Sequence, residues 1–270
     1  MNHSIPSHAI PAAIALVAAL NLAGCLGSPP EFFQSGNQTL AYRVHGEGPP
    51  LVLVHGFQGN GAIHWELPGT AALLSQHFQV IILDCRGHGN SDKPLGAARY
   101  GLHMVEDVRR LLDHLQIERA SLAGYSMGGW ISLKFAATYP ERVQALAVGG
   151  SGYRDFSEKQ LGQVLNDLVV PFLHPGYDPR AFEACSDAFP EFQLTEEEVA
   201  NLPAPLFAIA GSEDFAVEQV ERLAEARPDA QTTIIPNNDH NSTLFAPEFR
   251  ESLADFFEAS ITLKSPSNAP

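Results

Sequence analysis

The stretch SLAGYSMGG, Ser121 to Gly129, sets one serine among three glycines between two apolar segments. Ala120 to Ser126 reads as a buried strand, and Met127 to Tyr139 as an apolar helix that stops before Pro140. Within it, Gly124-Tyr125-Ser126-Met127-Gly128 matches G-x-S-x-G. The pattern alone would arise by chance in roughly one chain in ten of this length. Its position is more telling, because a serine nucleophile held on a sharp turn needs a strand before it and a helix after it. Such a turn strains the serine backbone and brings neighbouring chain close. Side chains at positions 124 and 128 would therefore clash, and Gly129 lets the helix approach the sheet. The helix then points its free N–H groups at the serine and favours negative charge there.

A serine hydroxyl needs a base to take its proton and an acid to orient that base. The chain has eleven histidines, but the order serine, acid, histidine expected for this motif leaves only His174 and His240 after Ser126. His174 falls in an irregular stretch, whereas His240 follows the last expected strand. For the acid, Asp214 closes the apolar run LFAIAGSED at the C-terminal end of a strand, the edge where open α/β sheets gather their sites. Glu213 and Asp155 are the alternatives.

Outward from this centre, apolar runs alternate with helical patterns, which predicts an α/β domain with a mostly parallel sheet. The expected strands are Thr39–Gly46, Pro50–Gly56, Phe78–Gly87, Ala120–Ser126, Val143–Ser151, Ala204–Asp214 and Thr232–Asp239. The expected helices are Trp65–Gln76, His103–Leu115, Met127–Tyr139, Val217–Ala226 and Pro247–Ala259. On the second of these, Met104, Val108, Leu111, Leu112 and Leu115 share one face, with charges on the other. Gly152 to Leu202 breaks the rhythm and reads as an insertion rich in Phe, Pro and acidic residues.

Four segments, in order, carry a resemblance to the α/β-hydrolase fold superfamily: LVLVHGF (Leu51–Phe57), DCRGHGNSDKP (Asp84–Pro94), LAGYSMGG (Leu122–Gly129) and the pair AGSED with NNDHN. The resemblance implies a domain over residues 38–260, with a short helical cap at about 152–202 inserted after the sixth strand. It implies Ser126, Asp214 and His240 as the catalytic residues and the backbone N–H groups of Phe57 and Met127 as the oxyanion hole. His55 and the Asp84, Arg86, His88, Ser91 segment are then structural, and His64, His77, His103 and His114 sit singly near or on helices. The expected chemistry is acyl transfer from a small or medium carboxylic ester to water, with no metal or organic cofactor. Dehalogenases and epoxide hydrolases of this fold carry aspartate at the turn and are disfavoured by Ser126. Carbon–carbon bond hydrolases, lactonases, perhydrolases and low-turnover ligand receptors of the same fold stay open.

The chain has 270 residues, 45% of them hydrophobic, and a net charge of −15. Acidic residues are spread along it, which argues against a nucleic-acid partner. IPAAIALVAALNLAGC, Ile10 to Cys25, is short for a membrane span and fits the apolar region of a secretory signal. Its ending, LAGC, resembles the lipobox of bacterial lipoproteins, which implies a signal over residues 1–25, a lipid on Cys25, and an exported protein held to an envelope membrane. Residues 26–37 then read as a tether and 261–270 as a disordered tail. Cys85 and Cys185 are expected as two separate buried thiols, with a disulfide between them the alternative.

Overall fold

The computed structural model describes residues 29–156, 178–202 and 205–262. Cys25, the signal, His174 and most of the expected tail lie outside them. The strands are β1 (Glu31–Ser35), β2 (Gln38–His45), β3 (Pro50–Val54), β4 (Gln79–Leu83), β5 (Ala120–Tyr125), β6 (Val143–Gly149), β7 (Leu206–Gly211) and β8 (Gln231–Ile235). They form one eight-stranded sheet in the order β1-β2-β4-β3-β5-β6-β7-β8. β1 and β2 run antiparallel at one edge, and β4, β3, β5, β6, β7 and β8 pair in parallel.

The parallel strands are apolar at successive positions because both faces are covered. On β3, Val52 and Val54 enter one core while Leu51 and Leu53 enter the other. The first core is closed by α2 (Leu102–His114), α3 (Met127–Thr138) and α6 (Val217–Ala226), the second by α1 (Thr70–Leu74) and α7 (Pro247–Thr262). After β6 come the described parts of the cap, α4 (Pro179–Asp187) and α5 (Glu196–Ala200). The latter starts in a capping box between Thr195 and Glu198. Among the described residues no helix is long and apolar enough to cross a membrane.

Three features differ from the sequence expectation. Part of the expected tether is β1: Gly36 and Asn37 turn the chain so that Glu31–Ser35 pairs with β2 and buries Phe33. Gly36 takes φ 62°, the left-handed conformation a two-residue hairpin turn demands. The expected helix over Trp65–Gln76 is instead a π-turn, Ala62–Glu66, and the short α1, parted by Pro68 and Gly69. At the other end, α7 continues through Ile261 and Thr262, the first two residues of the expected tail.

The charges of α2 do not all face water. Asp107 is buried on the apolar side, where its carboxylate accepts from Arg86 Nε (2.6 Å) and Nη2 (2.5 Å) and from the Ser35 hydroxyl. Arg86 Nη1 donates to the Arg99 carbonyl at 2.5 Å. This bidentate pair ties β1, the loop after β4 and α2 together. Removing one partner leaves an uncompensated buried charge. Arg86→Met is expected to cost about 3–5 kcal/mol, and the double variant with Asp107→Leu to recover part of the loss, both read from urea unfolding.

Candidate active site

Ser126 stands where β5 turns into α3, at φ 54° and ψ −118°. A left-handed backbone is costly for a residue with a side chain and persists only where the surroundings impose it. Here the Ser126 amide donates to the Gly149 carbonyl at 2.8 Å, and its carbonyl accepts from Gly129 (2.9 Å) and Trp130 (3.2 Å). The glycines leave the room this requires. A Cβ at Gly124 would strike the Gly128 backbone, one at Gly128 the carbonyls of Val54 and His55, and one at Gly129 the Ser151 side chain. Ser126 is only 4% exposed.

Asp214 follows β7 and His240 follows β8, so both reach the C-terminal edge of the sheet where Ser126 sits. His240 Nδ1 donates to both Asp214 oxygens, at 2.9 and 3.0 Å. Asp214 also accepts from the Ala216 amide at 2.9 Å and is 5% exposed. The imidazole proton is thereby fixed on Nδ1, leaving Nε2 as the basic nitrogen. Phe215 lies on the His240 ring, centroids 4.4 Å apart. Tyr125, the residue before Ser126, donates its hydroxyl to the His240 carbonyl at 2.5 Å. Burial above all, and the Asp214 charge next, push that phenol well above its ordinary range, so it remains a donor. The edge of the His240 ring lies over Gly150, next to the Gly149 carbonyl that holds Ser126: a Cβ built on Gly150 would come within 2.9 Å of His240 Cε1. Serine and histidine are thus fastened to one corner. The alternatives for the acid, Glu213 and Asp155, are both exposed.

The Phe57 and Met127 residues meet the same corner. Met127 opens α3, so its amide is among the first-turn N–H groups without an intrahelical acceptor. Phe57 follows β3, and among the described residues no group accepts from its amide. A Cβ on Gly56, one residue earlier, would come within 3.2 Å of Ser126 Cβ.

A family model described as alpha/beta hydrolase fold matches residues 49–169. A solved meta-cleavage product hydrolase from Pseudomonas fluorescens IP01 superposes with a TM-score of 0.72 at 22% identity, covering 86% of this chain and 98% of that one. The chain has the α/β-hydrolase fold. Its sequence is 39% identical over 120 residues to a pimeloyl-[acyl-carrier protein] methyl ester esterase of Aliivibrio fischeri, covering 44% of this chain and 43% of that protein. It is also 39% identical over 118 residues to a fluoroacetate dehalogenase of a Burkholderia species, covering 42% and 38%. The chain therefore spans less than half the length of these curated relatives.

On this α/β-hydrolase scaffold the segment Asp84–Ser91 is a splice. Asp84 accepts from the Gly61 amide (2.9 Å), the Asn90 amide (2.9 Å) and the Asn90 side chain (3.0 Å), and Ser91 accepts from the Ala41 amide at 2.9 Å. His55 donates from Nδ1 to the Gly56 carbonyl at 2.8 Å and accepts at Nε2 from the Cys85 amide at 3.0 Å. Cap helix α4 touches both Phe57 and Met127. Phe182 meets the Phe57 ring edge-on at 5.5 Å, and Cys185 Sγ lies 3.8 Å from Met127 Sδ. Cys85 and Cys185 are both free and buried, and burial raises both thiols. Of the apolar residues in the insertion, Phe156, Phe182 and Phe189 are described, while Leu161, Leu165, Leu168, Val169 and Phe172 lie outside the described residues.

Sequence reasoning passed over two residues of this corner. Tyr125 stood at the variable position of G-x-S-x-G, and His64 was one histidine among several; no local pattern marks either. Gly128→Ala is expected to lower unfolding free energy by about 3 kcal/mol through overpacking, while Gly69→Ala, at φ 83° with nothing within 4 Å of the added Cβ, loses only about 1–2 kcal/mol. Chemical denaturation of the two variants separates steric cost from conformational cost.

Proposed function

We propose that this protein is a serine hydrolase that cleaves a small or medium carboxylic ester through an acyl-enzyme. The observation that carries the reading is the strained, glycine-flanked Ser126 at the helix N-terminus, fastened to the same corner as the Asp214–His240 pair. In this reading His240 Nε2 takes the Ser126 proton as the oxygen attacks the ester carbonyl. Asp214 holds the imidazole tautomer and stabilises the imidazolium. The Phe57 and Met127 amides stabilise the oxyanion, a contribution of about 3–4 kcal/mol for each donor. His240 then protonates the leaving alcohol and activates the water that releases the acid. The methyl ester esterase relative supports the choice of an ester, and Ser126 rather than aspartate at the turn favours acyl transfer over the chemistry named for the dehalogenase relative.

Hydrolysis of short p-nitrophenyl esters is expected, with Ser126→Ala lowering kcat by on the order of 10⁶-fold and Asp214→Asn by about 10⁴-fold. A fluorophosphonate probe should modify Ser126, located by peptide mass spectrometry. Equal rates for wild type and Ser126→Ala across a broad ester panel would defeat the reading in favour of a ligand receptor.

We further propose, from the LAGC sequence, that the protein is exported and held to an envelope membrane by a lipid on Cys25. A palmitate analogue should label the wild type in a bacterial host and not Cys25→Ser; equal labelling of the two would end that reading.

A further inference from the structure

His64 lies in the π-turn Ala62–Glu66, whose Leu67 amide donates five residues back to Ala62 at 2.8 Å. The turn is pinned at its start. Asn60 accepts from the Ile63 amide through Oδ1 (2.9 Å) and from the His64 amide through its carbonyl (3.1 Å), and the Gly61 amide donates to Asp84. Pinned in this way, the turn carries His64 under the loop that follows β3. His64 Nδ1 accepts from the Gly56 amide at 3.1 Å. The ring fills the hollow of the loop so closely that a Cβ at Gly56 would stand 2.9 Å from His64 Cε1, and one at Gly59 only 2.6 Å from Cδ2. The ring also meets Tyr125 and His55 edge-on, each at a centroid distance of 6.0 Å. Within the loop, Gly59 donates to the Gly56 carbonyl at 3.1 Å, the carbonyl His55 also binds.

Both polar groups of Gly56 are therefore held by imidazoles, the carbonyl by His55 and the amide by His64. The next amide in the chain is that of Phe57. The peptide unit is planar, so fixing the Gly56 backbone limits the directions in which the Phe57 N–H can point. Donors that stabilise a developing oxyanion must be aimed before reaction, and a small misalignment is costly. The geometry points to His64 as a positioning residue of the oxyanion hole: a neutral imidazole, protonated at Nε2, whose Nδ1 lone pair holds Gly56 and so aims the Phe57 amide. This assignment rests on the serine-hydrolase reading for its catalytic meaning, but the contact and its tautomer do not.

Two measurements test it. Long-range ¹H–¹⁵N spectra of the full-length protein should show His64 as the Nε2–H tautomer, with its signals identified by their loss in His64→Asn. Kinetics with p-nitrophenyl acetate should show His64→Leu with kcat lowered about 10–100-fold and KM within about 3-fold of wild type, since the donor is misaimed rather than deleted. His64→Asn places an acceptor oxygen near the position of Nδ1 and should stay within about 5-fold of the wild-type kcat. Should His64→Leu not fold, His64→Gln, whose amide falls nearer the far ring nitrogen, is expected to show the same loss of kcat. An Nδ1–H tautomer overturns the inference, as does equal behaviour of the Leu (or Gln) and Asn variants. If the wild type turns over no ester at all, the serine-hydrolase reading fails, and the tautomer alone decides whether His64 holds Gly56.

Discussion

The left-handed backbone of Ser126 is the constraint around which the rest is arranged. Such a residue costs on the order of 1–3 kcal/mol and relaxes unless its neighbours forbid it. Three neighbours do so here. β6 takes the Ser126 amide through Gly149, α3 takes its carbonyl through Gly129 and Trp130, and the end of β3 with the residue after it closes over Gly128 through the carbonyls of Val54 and His55. The parallel register that places β5 between β3 and β6 is thus what makes the turn possible. The strain holds the hydroxyl at the head of α3, where the helix dipole favours negative charge.

The same turn organises the histidine side of the corner. Tyr125 cannot leave its place without moving Ser126, and its hydroxyl holds the His240 carbonyl while its ring packs against His240, His64 and Phe249. One side chain next to Ser126 thereby links the loop bearing His240 to the loop bearing Phe57. Three imidazoles at this corner, His55, His64 and His240, each hold a tautomer set by a backbone group or a carboxylate. The ring of His240 is paired with the buried Asp214.

What was legible in the sequence follows from the range over which each signal acts. Parallel strands buried on both faces announce themselves as apolar runs, and an elbow announces itself through glycines whose absence of side chain is a local necessity, so the sheet and Ser126 could be read directly. The place of Asp214 just beyond β7 was legible because it closes an apolar run. β1 was missed because its signal is two turn residues, Gly36 and Asn37, and a single buried Phe33 within polar surroundings. Asp107 was read as a surface charge because its partner Arg86 is distant in sequence, and helical periodicity does not register a buried ion pair. His64 was hidden by the π-turn, since one extra residue per turn rotates a side chain away from where a regular helix would place it.

The cap adds a further constraint on how the site can work. Helix α4 presses Phe182 onto Phe57 and Cys185 onto Met127, and Phe189 joins Phe57 to Trp130 of α3. Phe182, Cys185 and Phe189 are all buried. Lifting α4 would expose Phe182, at about 1.5–3 kcal/mol for a buried aromatic side chain, and Cys185. It would also withdraw the packing behind both Phe57 and Met127. A helix used in this way packs as a wall against Phe57 and Met127. The corner is accordingly braced from both sides, by α4 against the side chains of Phe57 and Met127 and by His64 against the backbone of Gly56. The loop after β3, which has no regular secondary structure of its own, borrows its rigidity from those two supports.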